Sequence, residues 1–169
     1  KGDVRVIEKP RGVGDRRNGH KYDHGHVLVL SGGVGKGGAA RLAARGALRI
    51  GAGAVTVGAP PSALIENAAQ LNAIMLMRIE GAKGLAAALS DKRMNVVVAG
   101  PGLGVGEHTR AFVEAVYQGD GTRSVVLDAD ALSSFREDPE ELFTQTRGTK
   151  TVLTPHMGEF GRLFPGIHA

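Results

Sequence analysis

The chain has 169 residues, with 21 Lys and Arg against 17 Asp and Glu for a formal net charge of +4, 26 Gly, 4% aromatics and no Cys or Trp. One domain with a sizeable core is the expected size class. The lack of Cys excludes disulfides and thiolate metal sites, and no N-terminal apolar stretch is long enough for a signal or membrane span, which predicts a soluble, cytoplasmic protein.

Lys1–His24 is polar and Gly-rich without periodicity, which predicts a flexible leader. The basic residues crowd there (Lys1, Arg5, Lys9, Arg11, Arg16, Arg17, Lys21), while the remainder is nearly balanced and has no aromatic-interleaved basic stripe. A solvated leader therefore outweighs a nucleic-acid site. His20, His24 and His26 lack a carboxylate at ligand spacing, which argues against zinc.

From His26 onward, short β-branched apolar runs alternate with helical segments. The strands are expected at 26–30, 54–57, 73–77, 96–99, 124–127 and 151–153, and the helices at 38–50, 62–70, 82–89, 107–117, 139–146 and 158–164. Apolar runs without alternation suit strands buried on both faces, so a three-layer α/β/α fold with a mainly parallel central sheet is predicted. In 38–50 the alanines 40, 43, 44 and 47 with Leu48 form one face, and Arg41 and Arg45 lie on another. Phe112, Val113 and Val116 face inward in 107–117, Met75 and Met77 are expected in the core, and His108 on a helix surface.

Ligands gather where parallel strands end, and four strand ends carry candidate chemistry. After the first strand comes SGGVGKGGAA, 31–40. A phosphate-cradling P-loop would need Gly at the position of Leu30 and a hydroxyl at that of Gly37, so both ends of that motif are lost. Gly33, Gly35 and Gly38 satisfy the G-x-G-x-x-G spacing of a dinucleotide loop. However, the acid expected to end the second strand is missing, because 54–57 runs into Gly58, Ala59, Pro60 and Pro61. GPGLG (100–104) is either a tight turn or a place for a ligand to approach bare main chain. Asp128 and Asp130 of DADAL suit proton transfer or a hydrated cation, or Asp130 caps a helix. TPHMGEF (154–160) sets His156 and Glu159 beside a Gly where both can face a pocket.

Taken in order and at these intervals, HKYDHGHVLVLSGG, GKGGAARLAARGALRIGAGAVTV, GPGLG, VVLDADAL and VLTPHMGEFGRLF resemble the ADP/ATP-dependent NAD(P)H-hydrate dehydratases, the YjeF C-terminal type, from Asn18 to Phe164. The resemblance implies a ribokinase-like fold over residues 20–169, after a leader or linker at 1–19. It implies a repair reaction in which (S)-NAD(P)H-hydrate is dehydrated to NAD(P)H: the hydroxyl is phosphorylated at the expense of ADP or ATP with Mg2+, and phosphate then departs.

It also assigns substrate contacts to Gly38, Ala39, Gly102 and Gly104, to Asp128 and Asp130, and to His156, Met157, Gly158, Glu159, Phe160 and Arg162. Imidazole and guanidinium there suit ribose or phosphate oxygens. The nucleotide-binding segments and the aspartate of the family's Gly-x-Gly-Asp turn fall after Ala169, so the chain as given is expected to be the N-terminal part of a catalytic domain, unable to turn over alone. No protein metal ligand is assigned. A homo-oligomer is expected, without nucleic acid or membrane, and with a hydrate epimerase domain as a fusion or partner. A ribokinase-superfamily small-molecule kinase and a non-catalytic dinucleotide-binding fragment are the alternatives.

Overall fold

The computed structural model describes residues 19–118 and 121–167. Residues 1–18, most of the expected leader, lie outside the described residues. Six strands, β1 (His26–Leu30), β2 (Ala54–Ala59), β3 (Met75–Arg78), β4 (Met94–Ala99), β5 (Ser124–Leu127) and β6 (Lys150–Leu153), form one all-parallel sheet in the order β3-β2-β1-β4-β5-β6. The helices are α1 (Gly38–Ile50), α2 (Leu64–Ala68), α3 (Gly81–Ala88), α4 (Glu107–Tyr117), α5 (Asp130–Ser133), α6 (Pro139–Thr146) and α7 (Met157–Leu163).

Alternation along β1 builds the layers. Val27 and Val29 join Val55, Val57, Ala40 and Ala44 beneath α1. Leu28 and Leu30 join Val97, Leu127, Leu85, Phe112 and Leu132 on the side of α3 to α7. All five β1 residues are buried, because β1 is central and both its faces are covered. Burying each such Val or Leu contributes about 1.5–3 kcal/mol. The small face of α1, with Ala40 and Ala44 buried, lets that helix lie close to the sheet.

Several expectations need correction. Lys21–His24 is not leader but a 3-10 turn capped by His20, whose ring accepts from the Tyr22 amide; a Cβ at Gly53 would overlap the Lys21 carbonyl. Met75 is 43% exposed, because β3 is an edge strand; Met77 packs against the core as expected. The helix expected at 62–70 is a 3-10 turn at Pro61–Ala63 followed by five-residue α2. The four-residue α5 appears among the expectations only as the helix that Asp130 would cap; Ala129 holds the cap position and Asp130 is the first helical residue. Among the described residues no helix is long and apolar enough to cross a membrane.

Candidate functional site

The loop after β1 is held at both ends. The Ser31 amide adds a last rung to the sheet by donating to Gly58 O (2.8 Å), and Lys36 N donates to Gly33 O (3.0 Å). Helices α1 and α2 brace the loop from below. Glu66 Oε2 accepts from the Gly35 amide (2.7 Å), while Oε1 accepts from Arg41 Nη1 (3.0 Å). The same Arg41 nitrogen donates to Oδ1 of fully buried Asn67 (3.2 Å), whose Nδ2 donates to Ala63 O (2.9 Å) and Ser31 Oγ (3.4 Å). The Gly35 amide first, and then Arg41, hold the Glu66 carboxyl below its ordinary value. Gly37 closes over this network; a Cβ there would stand 2.7 Å from Arg41 Nη1 and 3.0 Å from Asn67 Oδ1.

The loop after β4, Gly100–Gly106, is held by neighbouring turns instead. The Gly104 amide donates to Asp130 Oδ2 (2.8 Å) and the Gly106 amide to Ser134 Oγ (3.1 Å), while Thr109 Oγ1 donates to Gly104 O (2.5 Å). A Cβ at Gly100 would overlap the Asp128 carbonyl, so this glycine lets the β4 and β5 turns touch. Between Asp128 and Asp130, Ala129 sits at φ 47° and ψ −118°, the one non-glycine with positive φ among the described residues. That strained turn swings Asp130 toward the Gly104 amide, so Asp130 begins α5 with its side chain serving the neighbouring loop.

The two loops meet main chain to main chain. A Cβ at Gly32 would overlap Gly102 O, and one at Gly102, itself at φ +77°, would stand 2.6 Å from Lys36 O. They follow β1 and β4, adjacent strands from which the chain departs to opposite halves of the sheet; this is the switch point where open α/β sheets form their ligand crevice. A cavity of about 250 Å³ opens beside the contact. Main chain at Gly32, Gly33, Gly58 and Gly81 forms one part of its wall, and Ile79, Leu103 and Phe112 form another. Its ionisable residues are Glu80 and His108, with the His108 ring edge-on to Phe112 at 4.6 Å. No Lys or Arg lines it among the described residues.

A family model described as NAD(P)H-hydrate dehydratase matches residues 27–169. The chain belongs to this family. It is 37% identical over 147 residues to the bifunctional NAD(P)H-hydrate repair enzyme of Coxiella burnetii, covering 87% of this chain and 28% of that protein. It superposes with a TM-score of 0.70 on a ribokinase-like superfamily protein of Enterococcus faecalis, at 24% identity, covering 94% of this chain and 52% of that one. It superposes at 0.65 on the ADP/ATP-dependent NAD(P)H-hydrate dehydratase of Bacillus subtilis co-crystallized with ATP and Mg2+, at 27% identity, covering 95% and 52%. The fold is therefore ribokinase-like, and the chain spans about half or less of the length of these relatives.

Three of the four segments to which the resemblance assigns substrate contacts lie at neighbouring strand tips. Gly38 and Ala39 are exposed on the first turn of α1, next to the β1 loop. Gly102 and Gly104 lie in the β4 loop, and Asp128 and Asp130 in the β5 turn that supports it. The fourth segment follows β6, the next strand, where Thr154 N donates to Leu127 O (3.1 Å). There His156 caps α7 through Nδ1, which accepts from the Gly158 amide (3.0 Å), and its own amide donates to Glu159 Oε2 (3.0 Å).

Glu159 is buried, Met157 and Arg162 are exposed, and Phe160 packs on Phe164 at 4.8 Å between ring centroids. His156 and Glu159 thus face each other in a capping box. Neither lines the cavity.

The sequence reading missed Glu66, Asn67, Arg41, Glu80 and Ala129, and it set His108 on a helix surface. His108 is exposed and also lines the cavity. Arg41 and Glu66 stand 25 positions apart on different helices, so no local spacing announces their pairing. Glu80, two residues beyond β3, was legible as an acid at a strand end.

Proposed function

We propose that this chain is the dinucleotide-binding side of an ADP- or ATP-dependent NAD(P)H-hydrate dehydratase, a cytoplasmic repair enzyme that returns hydrated nicotinamide dinucleotides to NADH or NADPH. The observation that carries this reading is the contact of two bare glycine loops at the sheet's switch point, beside a cavity, inside the region matched by the family model.

In this reading the chain's own residues bind and orient. Main-chain amides of the β1 and β4 loops and the open first turn of α1 meet the pyrophosphate, where the amides at a helix start favour an anion. The Glu66 and Asp130 carboxylates fix those loops before the substrate arrives, so little ordering cost remains on binding. The apolar wall keeps water from the part of the substrate it encloses. Gly38, Ala39, Gly102, Gly104, Asp128, Asp130 and the His156–Arg162 segment are proposed to line the rest of the substrate path toward β6.

The nucleotide, when bound, supplies the phosphoryl group that converts a poor leaving hydroxide into phosphate. The residues present do not fit it. The cavity offers no Lys or Arg for its phosphates, and among the described residues no group of three or more His, Asp or Glu could hold Mg2+. No step is assigned through either. A homo-oligomer, and a hydrate epimerase as fusion or partner, complete the reading; the bifunctional character of the Coxiella relative supports the latter.

The test is to incubate a form of the protein that carries the family's nucleotide-binding segments with NADH-hydrate or NADPH-hydrate, Mg2+ and ADP or ATP. Return of the reduced-ring absorbance with one phosphate released per turnover supports the proposal. Phosphorylation of a small alcohol in place of hydrate dehydration would make the protein a kinase. Dinucleotide binding without turnover would make it a binding module.

A further inference from the structure

The strand order β3-β2-β1-β4-β5-β6 is the one found in dinucleotide-binding sheets, where a glycine loop after β1 works with an acid that accepts from a ribose hydroxyl. In this sequence the loop has the right glycine spacing, and the expected acid after β2 is replaced by Ala59, Pro60 and Pro61. The structure brings an acid to the same place from the next strand over. Glu80 follows β3 and lines the cavity together with Gly33 of the β1 loop and Gly58 of β2.

Glu80 stands at the N-cap of α3, where a carboxylate ordinarily accepts from its own helix, yet it makes no side-chain capping bond. Its Oε2 instead accepts from Arg78 Nη2 at 2.5 Å in an open pair, the two side chains 67% and 63% exposed. Solvent screens that pair, so it holds the carboxylate only weakly. At Gly33 and Gly81 an added Cβ would meet no atom within 4 Å, so bare main chain borders open space at two points of the cavity wall.

Size, charge and position narrow the occupant. Pockets for drug-sized ligands run to about 300–1,000 Å³, so 250 Å³ suits one nucleoside and not a whole dinucleotide. Glu80 lines the wall and its partner Arg78 does not, so the charge presented to the cavity is a carboxylate, which suits the part of the ligand that carries no phosphate. The cavity spans the tips of β3 to β4, with Leu103, His108 and Phe112 on its β4 side, while the His156 segment follows β6, two strand spacings or about 10 Å from β4.

We propose that the cavity takes the adenosine end of the dinucleotide, with Glu80 accepting from an unphosphorylated 2′-hydroxyl, so that NADH-hydrate is selected over NADPH-hydrate. This rests on the dehydratase reading for the identity of the dinucleotide. A hydrogen bond to a charged acceptor on one ligand, and like-charge repulsion on the other, set a preference of about tenfold or more.

Calorimetric titration of the protein with NADH-hydrate and NADPH-hydrate, and with AMP and its 2′-phosphorylated analogue as probes of the adenosine end, tests it. Wild type should bind the non-phosphorylated member of each pair about tenfold more tightly. Glu80→Gln should bring both ratios close to one, and Glu80→Lys should reverse them; the side chain is exposed, so both variants should keep the wild-type unfolding temperature. Equal wild-type affinities, a preference for the 2′-phosphates, or ratios unmoved by Glu80→Gln would overturn the assignment while leaving the dehydratase reading intact. Failure to bind either hydrate would overturn both.

Discussion

The two glycine loops at the switch point do the same geometric job by different means. The β1 loop rests on charge: a carboxylate, Glu66, joins its Gly35 amide to the Arg41 guanidinium, with Asn67 buried behind. The β4 loop rests on strain and on a carboxylate with no guanidinium joined to it in these contacts: Ala129 is held at positive φ so that Asp130 meets the Gly104 amide, and the Thr109 and Ser134 hydroxyls complete the support. The first brace is an ion pair open to acid and salt; the second couples one carboxylate to a strained backbone and answers chiefly to substitution. A shared task therefore gives two different sensitivities.

The largest effect should come from the point where the loops touch. Gly102→Ala adds a Cβ 2.6 Å from Lys36 O at a residue with φ +77°, and the only relief is to part the loops. Thermal and denaturant unfolding should show a loss of about 2–3 kcal/mol, with dinucleotide binding lost as well. Unchanged binding would break the equivalence of the loops, because the contact would then be incidental.

Ala129→Gly sharpens the contrast by removing strain on one side alone. Strain at such a residue costs about 1–3 kcal/mol, against about 0.5–1 kcal/mol for the extra freedom glycine has when unfolded. A net gain of about 1 kcal/mol in denaturant unfolding is expected. A loss in stability would mean that Ala129 is not under strain.

The smallest effect falls on the charged brace. Glu66→Gln neutralises one side of a partly buried pair, and dinucleotide affinity should fall about threefold. The sign with pH follows from the direction of the shift. Because the folded carboxyl titrates below its ordinary value of 4.5, its contribution is whole above that value and is lost as pH falls through the lower folded one. Affinity in wild type should therefore weaken in that acid window and with added salt, and in Glu66→Gln this component should be absent. Matching acid and salt profiles in the two proteins would remove the distinction between the loops.

The parts of the fold visible in the sequence are those with dense apolar patterning. The bounds of β1, α1, α4, β5 and α6 agree with the reading residue for residue, because each either fills a buried strand or turns a repeating apolar face to the sheet. Edge strands were harder: Met75 looks like a core residue, and only the sheet order shows that β3 has one neighbour. The turn at Lys21–His24 has no sequence signal, and α5 shows only through Asp130 as a possible cap, because four residues hold less than two turns of periodic signal.

At the candidate site, the glycine loops and the Asp128–Asp130 turn were legible because each directly follows an apolar run. The side chains that brace and line it were not. Glu66 and Arg41 meet across two helices, and Glu80 and His108 reach one cavity from different strand ends, pairings that exist only once the sheet order is fixed.

The central claim is that the two loops and the cavity beside them form one dinucleotide site. Its most direct test is an amide chemical-shift map of the isotopically labelled protein titrated with NADH-hydrate. The account predicts that Gly32, Gly33, Gly35, Gly102, Gly104, Glu80 and Gly81 shift together, with one common saturation point. Shifts confined to surfaces away from the tips of β1 to β4, with these amides unmoved at saturation, would contradict it.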